Sequence, residues 1–417
     1  MIVENCSYLG DPRVRKEAEA LRAAGYKVSV IGAYSGKAHW PELVDGITVY
    51  WFPHITFSHG TVGHLLEYAY ATVAIAALTF YVLLARGFDI IHIANPPDCI
   101  VLVSAIYKLA GKQIIYDQHD LCPELYLSKF PRKSSLLLRL QFLLERLSYR
   151  LASHVIVANG SYRKIALKRG RLHRANVTVV RNGPDLDRLK EAGIDPELRK
   201  KSPHIIAFAG ITGYQDGLEH LCRVLRSLRY DLGRDDFFCI VLGDGEALPH
   251  VKSLARILSV DEKIWFAGWV SDPNLYFRYL STADVCVAPE PSNSYNDRST
   301  FVKIMEYMVV GKPIVAFDLP ENRFSAGPSA LYATSNNERE FAGKLSELMD
   351  NPALRRSMGE IGRRRIETKF AWQYSVPDLL KVYNQLTGSE RPLPESIESQ
   401  LSQAREETTT VVEKVTL

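Results

Sequence analysis

The chain has 417 residues, 47% of them hydrophobic and 24% charged; this is the composition of a globular protein with room for two domains and excludes a disordered or fibrous one. Its six cysteines, Cys6, Cys99, Cys122, Cys222, Cys239 and Cys286, form no CxxC pair and do not cluster with histidines, which argues against a metal site or disulfide framework and for a reducing cytoplasm. The net charge of +4 is uneven, with 24 Lys/Arg against 15 Asp/Glu in residues 1–190 and 27 against 32 in the remainder.

No apolar h-region precedes Arg13 to Lys16, so no signal peptide is expected. Only Met1 to Glu4 stand before the first loop, so the first strand is short or the true start lies upstream. A helix is predicted from about Arg13 to Ala24, ended by Gly25, and then the strand KVSVIG. The stretch Tyr68 to Ala85 holds no charge and approaches the length of a membrane span. It is rich in alanine and tyrosine, flanked by Glu67 and Arg86, and runs into the interior-strand pattern FDIIHIANPPD. The expectation is therefore a helix beneath the sheet or at a membrane surface, not a crossing one.

Between Lys129 and Arg181 thirteen basic residues face one acid, Glu145. The run SSLLLRLQFLLERLSYRLA within that stretch reads as a basic amphipathic helix, suited to anionic lipid or else a solvated face. No nucleic-acid-binding module accompanies the charge, so nucleic acid is not an expected partner.

The strand patterns GITVYWF, DIIHIAN, KQIIYDQ, HVIVAN and NVTVVRN alternate with helices, which means an α/β fold with a parallel, doubly wound sheet. The charged DLDRLKEAGIDPELRKKSP interrupts the pattern. The predicted division is a first domain at 1–190, a linker at 191–203 and a second domain at 204–370. This second domain holds HIIAFAG, FFCIVLGDG, KIWFAGW, VCVAPEP and PIVAFD. A last helix follows at 371–387, and the polar tail 388–417 is expected to be disordered.

The segment Asn296 to Asp318 is the most informative. It reads as a helix capped by Ser299 or Asp297, leaving the N–H groups of Thr300, Phe301 and Val302 to meet an anion. Helical spacing puts Ser299, Lys303 and Glu306 on one face, with Glu306 roughly 10 Å along the axis. The segment can thus seat phosphates at the helix start and a ribose at Glu306. The plainer alternative is a core helix with a Lys303–Glu306 pair at i,i+3.

Four motifs then stand in order: DPRVRKEAEALRAAGYKVSVI; NPPD at Asn95–Asp98 with YDQHDLCPELYLSKF; VVRNGPD; and VKIMEYMVVGKPIVAFD. With them the chain resembles the retaining glycosyltransferases of family 4, of the bacterial surface-polysaccharide type. The resemblance implies the GT-B fold, two Rossmann-like doubly wound domains facing a central cleft. It also implies a nucleotide-sugar donor, a hydroxyl acceptor, retention at the anomeric carbon, no obligatory metal and no cofactor. Glu306 matches the family's ribose-binding glutamate, and His119 matches the histidine that reaches the donor sugar. Asp11 and Arg13 fall on the loop where acceptor and diphosphate meet. Read without the resemblance, His119 is a loop histidine, Asp11 a helix N-cap and Arg13 a surface charge.

The chain departs from the family pattern twice. The first glutamate of the family's pair would fall at position 298, where this chain has Arg298 after Asp297. The Arg and Lys usual after the first strand of the second domain are replaced by Ile211, Thr212 and Asp216. The diphosphate is therefore expected to rest on Arg298, Lys303 and the helix start, at Ser299 and Thr300, with Gly210 and Gly213 keeping the opposing loop close. The acceptor is expected to be a lipid-linked saccharide or oligosaccharide at the cytoplasmic face of the membrane, approached through the basic first domain. A nucleotide-sugar 2-epimerase and a membrane-associated scaffold with a relic donor site are the rival readings. A nicotinamide dehydrogenase lacks its G-x-G-x-x-G, and LGDGEAL at Leu242–Leu248 reads as a strand-end turn.

Overall fold

The computed structural model describes residues 1–34, 40–55, 61–129, 134–186 and 193–404. These fall into two units. Of the described residues, one unit takes 1–126, 134–182 and 373–404; the other takes 127–129, 183–186 and 193–372.

The first unit is built on an eight-stranded sheet: β1 Ile2–Val3, β2 Ser29–Tyr34, β3 Glu42–Val44, β4 Ile47–Pro53, β5 Ile90–Ala94, β6 Gln113–Gln118, β7 His154–Val157 and β8 Val177–Val179. Its order is β3-β4-β2-β1-β5-β6-β7-β8, the doubly wound pattern with its switch beside β1. β1 is two residues long yet central, with Ile2 opposite Ile31 on one side and Ile93 on the other. β3 departs from the parallel expectation: it pairs antiparallel with β4 through a two-residue turn with positive φ at both Asp45 (49°) and Gly46 (77°). That Asp-Gly is a hairpin signal in the sequence.

Six helices connect these strands: α1 Pro12–Ala23, α2 Thr61–Arg86, α3 Val101–Leu109, α4 Cys122–Lys129, α5 Ser135–Leu151 and α6 Gly160–Gly170. Asp11 caps α1 by accepting from the N–H groups of Arg13 and Val14, and Pro12 presets its first turn. α2 is not a helix buried beneath the sheet. Its most apolar 18-residue window is only 22% buried, because only the side carrying Ala71, Ile75 and Val82 enters the core with Ile31, Phe52 and Ile91.

The second unit has six strands, β9 His204–Ala209, β10 Phe237–Leu242, β11 Ile264–Gly268, β12 Val285–Ala288, β13 Ile314–Phe317 and β14 Ala330–Ala333. They run parallel in the order β11-β10-β9-β12-β13-β14. The helices are α7 Pro196–Arg199, α8 Leu218–Arg226, α9 Leu248–Ile257, α10 Pro273–Thr282, α11 Val302–Val309, α12 Pro320–Ala326, α13 Glu338–Asp350 and α14 Pro352–Arg365. The interior strands are near-continuous Val, Ile and Phe because helices cover both faces. Ile206, Phe208, Cys239, Val241, Val285 and Val287 form part of one core with α8 and α13.

The structure moves two expected boundaries. The units divide after Asn182 and not at 190, since the segment at Gly183 packs against the end of the second unit. A side chain at Gly183 would place its Cβ 1.9 Å from the Phe370 carbonyl, and Trp372 N–H donates to Pro184 O at 2.8 Å. The helix expected at 371–387 spans Val376–Thr387, and it belongs to the first unit. There Tyr383 OH meets His92 Nδ1 at 2.8 Å and Tyr26 OH donates to Asn384 at 2.7 Å. Of the tail expected to be disordered, residues 395–404 are helical and 405–417 lie outside the described residues. Arg391 ties the start of that tail to Tyr26, with its guanidinium 4.3 Å from the ring centre.

Candidate functional site

In the second unit the site grows out of a fork between two strands. β9 and β12 pair only at Val285–Ile206 and Cys286–Ala207, and beyond that point they diverge. The buried Tyr307 hydroxyl fills the gap, accepting from Ala209 N–H at 2.9 Å and donating to Val287 O at 3.2 Å. This is the topological switch point of the sheet, where open α/β folds bind ligands at the carboxyl ends of their strands. Gly210 follows β9 and Glu290 follows β12 at this fork. The loop after β10 closes in beside it, where a Cβ on Gly243, at φ +133°, would lie 1.8 Å from Gly210 O. LGDGEAL is accordingly a strand-end turn.

α11 begins later than the sequence implied. A 3-10 turn at Asn296–Arg298 precedes it, Phe301 is its N-cap, and no side chain caps it. Ser299, expected to cap the helix, is buried and donates its hydroxyl to Tyr295 O at 2.9 Å. Thr300 donates to Glu321 at 3.3 Å, and Arg298 donates to the Ser294 carbonyl. The helix start therefore presents backbone from Val302 onward.

Lys303 and Glu306 lie one turn apart but do not form the i,i+3 pair of the plainer, core-helix alternative. Glu306 accepts from Tyr276 OH of α10 at 2.6 Å. Lys303 is 7% exposed; its ammonium lies 2.6 Å from Glu290 Oε1, 3.9 Å from Asp216 Oδ1 and 4.1 Å from the centre of the Phe208 ring. A Cβ on Gly210 would fall 2.9 Å from Lys303 Nζ, so the missing side chain at 210 makes room for the lysine. Gly213 N–H donates to Asp216 at 3.1 Å. Burial, helped by Glu290 and opposed by Lys303, pushes Asp216 up to about 6. The cation expected to meet the diphosphate is thus already shared between two carboxylates, Glu290 and Asp216.

In the first unit, Asp11, Arg13 and His119 come together around Asp117. Arg13 is not a surface charge. It is 3% exposed and grips Asp117 with Nε at 3.0 Å and Nη2 at 2.7 Å, while Nη1 donates to Val180 O at 2.7 Å. His119 Nε2 lies 2.5 Å from Asp117 Oδ2, and its Nδ1 is 4.0 Å from Asp11. Burial would lower the His119 pKa, but the Asp117 carboxylate prevails and raises it above the ordinary value. Asn95 of the NPPD motif fixes the loop that carries His119, accepting from the N–H groups of His119 at 2.7 Å and Asp120 at 3.1 Å.

Glu17 and His92 complete a buried cluster with Asp117, in which one ligand atom from each lies within 4.8 Å of the others. Burial and then Asp117 push Glu17 up to about 8 against Arg13, while burial lowers His92. Arg13 already occupies both Asp117 oxygens and approaches Glu17 at 3.2 Å, so the cluster is balanced by a resident guanidinium.

The residues that sequence reasoning missed are Glu290, Asp117 and Tyr307. Two of them left a trace: Glu290 is an acid just after an apolar strand, and Asp117 lies near the end of β6, two residues before His119.

Two family descriptions match the chain, "Glycosyl transferase 4-like domain" over residues 10–183 and "Glycosyl transferases group 1" over residues 202–351. An uncharacterized glycosyltransferase of Methanocaldococcus jannaschii is 22% identical over 245 residues, covering 58% of this chain and 60% of that protein. The chain spans between 42% and 60% of the length of the curated relatives it matches. Among solved structures, sucrose-phosphate synthase from Thermosynechococcus elongatus superposes with a TM-score of 0.72 at 18% identity, covering 90% of this chain and 92% of that one. Anabaena HepE in complex with UDP-glucose gives 0.67 at 17% identity, covering 92% and 99%. At such identities these structures speak for the fold, two Rossmann-like domains.

Proposed function

We propose that this chain, whose two units carry the two domains of a GT-B glycosyltransferase, moves a hexose or acetamidohexose from a nucleoside-diphosphate sugar to a hydroxyl of a lipid-linked saccharide. The anomeric configuration is retained, and the setting is surface-polysaccharide assembly at the cytoplasmic face of the membrane. The observation that carries this reading is the fork of β9 and β12, where Tyr276 orients Glu306 and the glycine loop closes over Lys303. The fold likeness to a protein crystallised with UDP-glucose supports a nucleotide-sugar donor.

Glu306 accepts hydrogen bonds from the ribose hydroxyls, a task suited to a carboxylate already oriented by a phenol. The diphosphate rests beside Gly210, Gly213, Ser299 and Thr300. Arg298 and the backbone N–H groups at the start of α11 supply most of the positive field, and Lys303 acts within its pairing to Glu290. In the first unit, His119 is assigned to the transferred sugar and is held by Asp117; Asp11 lies beside His119 and Arg13 positions Asp117. In the transfer, the bond from the anomeric carbon to the diphosphate oxygen breaks on the face where the acceptor oxygen bonds, and the departing oxygen takes the acceptor proton. The protein chiefly orients the reactants and stabilises the leaving charge.

The test measures nucleotide release with and without lipid-linked acceptor, together with the anomeric configuration of the product by NMR. Release that requires acceptor, with retention, is expected. Acceptor-independent release with inversion at the sugar C2 would replace this reading by an epimerase. No calorimetric binding of any nucleotide sugar would leave a scaffold.

A further inference from the structure

The first unit carries an outward face that the transfer reaction does not use. α3 packs against both α2 and α5, and all three helices present apolar stripes to solvent. On α2 the exposed positions Leu66, Val73, Phe80 and Leu84 follow helical spacing, with Val73 70% and Leu84 72% exposed. No charged residue occurs between Tyr68 and Ala85. On α3, Ile106 and Leu109 are 63% and 90% exposed. Single exposed leucines need no explanation, but three adjacent stripes do.

α5 adds charge of one sign. Its exposed leucines, Leu136, Leu140 and Leu143, alternate with exposed Arg139, Arg146 and Arg150 on one side of the helix. Its one acid, Glu145, is fully buried and bound by Arg169 at 3.0 Å. An apolar surface for another protein copy would not need a row of arginines with no acidic counterpart. A bilayer needs both features, because leucines enter the acyl boundary while guanidinium groups remain at the phosphates. α2 does not cross that bilayer within this fold, since Ala71, Ile75 and Val82 are locked in the core of the sheet.

We propose that the joint outer face of α2, α3 and α5 is a monotopic docking surface for an anionic bilayer, with α2 and α3 lying in the interface and the α5 arginines on the lipid phosphates. This inference is independent of the donor site and stands whether or not the transfer reaction holds.

The test is flotation of the full chain with vesicles of phosphatidylcholine alone or mixed with phosphatidylglycerol. Binding to the mixed vesicles alone, weakened by salt, is expected. Neutralising Arg139, Arg146 and Arg150 to Gln should lower the partition at least about tenfold. Val73→Ser with Leu84→Ser should lower it without removing the salt dependence. Thermal unfolding and nucleotide titration of each variant report folding and donor binding separately from membrane binding. Equal binding to both vesicle types, or undiminished binding of the arginine variant, overturns the proposal. So does a dimer, seen by light scattering, that the α2 variant dissociates while vesicle binding persists.

Discussion

Lys303 and Glu290 form a buried ion pair at the fork of the second sheet, Nζ to Oε1 2.6 Å, with Asp216 3.9 Å from the same ammonium. Their proximity comes from topology: Glu290 follows β12, Lys303 sits in the first turn of α11, and Gly210 gives way between them. Breaking one side of such a pair leaves a buried charge uncompensated.

Glu290→Gln and Lys303→Met should each destabilise the protein by about 3 kcal/mol, and the double variant should recover a large part of that loss. Urea unfolding of the four proteins in the cycle checks this. Strictly additive losses would mean that the two groups do not interact energetically.

Glu306 is held by Tyr276 at 2.6 Å. Glu306→Gln should weaken UDP or UDP-sugar binding about tenfold or more, and Tyr276→Phe should weaken it by a smaller factor because only the orientation is lost. Calorimetric titration measures both, and unchanged affinity in Glu306→Gln would remove the ribose assignment.

Tyr307 supplies the hydrogen bonds that β9 and β12 lose where they part. Tyr307→Phe keeps the ring but leaves Ala209 N–H without this acceptor, at a cost of roughly 1–3 kcal/mol. The expected signature is a lower unfolding temperature for the second unit, with hydrogen exchange accelerated at Ala209.

Burial and the Asp117 charge push Glu17 up to about 8 from an ordinary 4.5. A carboxyl whose folded pKa is raised holds its proton more tightly when folded. Its contribution to stability is full below pH 4.5 and is lost as the pH rises through about 8. Unfolding free energy should therefore fall across that window, and Glu17→Gln should flatten the slope. An identical pH profile for the variant would show that Glu17 does not carry the effect.

Much of the architecture was legible in the chain. The alternation of apolar strands and amphipathic helices gave both doubly wound sheets, and SSLLLRLQFLLERLSYRLA became α5. β3 was overlooked because three residues carry too little periodicity. The start of α11 was misplaced because Ser299 has the chemistry of a cap while its hydroxyl bonds to Tyr295 instead. Without the resemblance Arg13 read as a surface charge, because a polar residue in a first helical turn usually is exposed. Its partner Asp117 is 104 positions away, beyond any local pattern.

The sequence by itself determined the succession of elements, the uneven charge and the presence of Glu306 and Lys303 on one helix and His119 on a strand-end loop, since these follow from local periodicity and residue chemistry. Only the tertiary structure decided what each side chain meets. It gave Lys303 to Glu290, Arg13 to Asp117 and the Tyr307 hydroxyl to two diverging strands, and it turned the apolar stripe of α2 outward. Those outcomes depend on which strand ends lie side by side and on burial, which makes an unpaired charge costly and an exposed apolar face a surface for something else to cover.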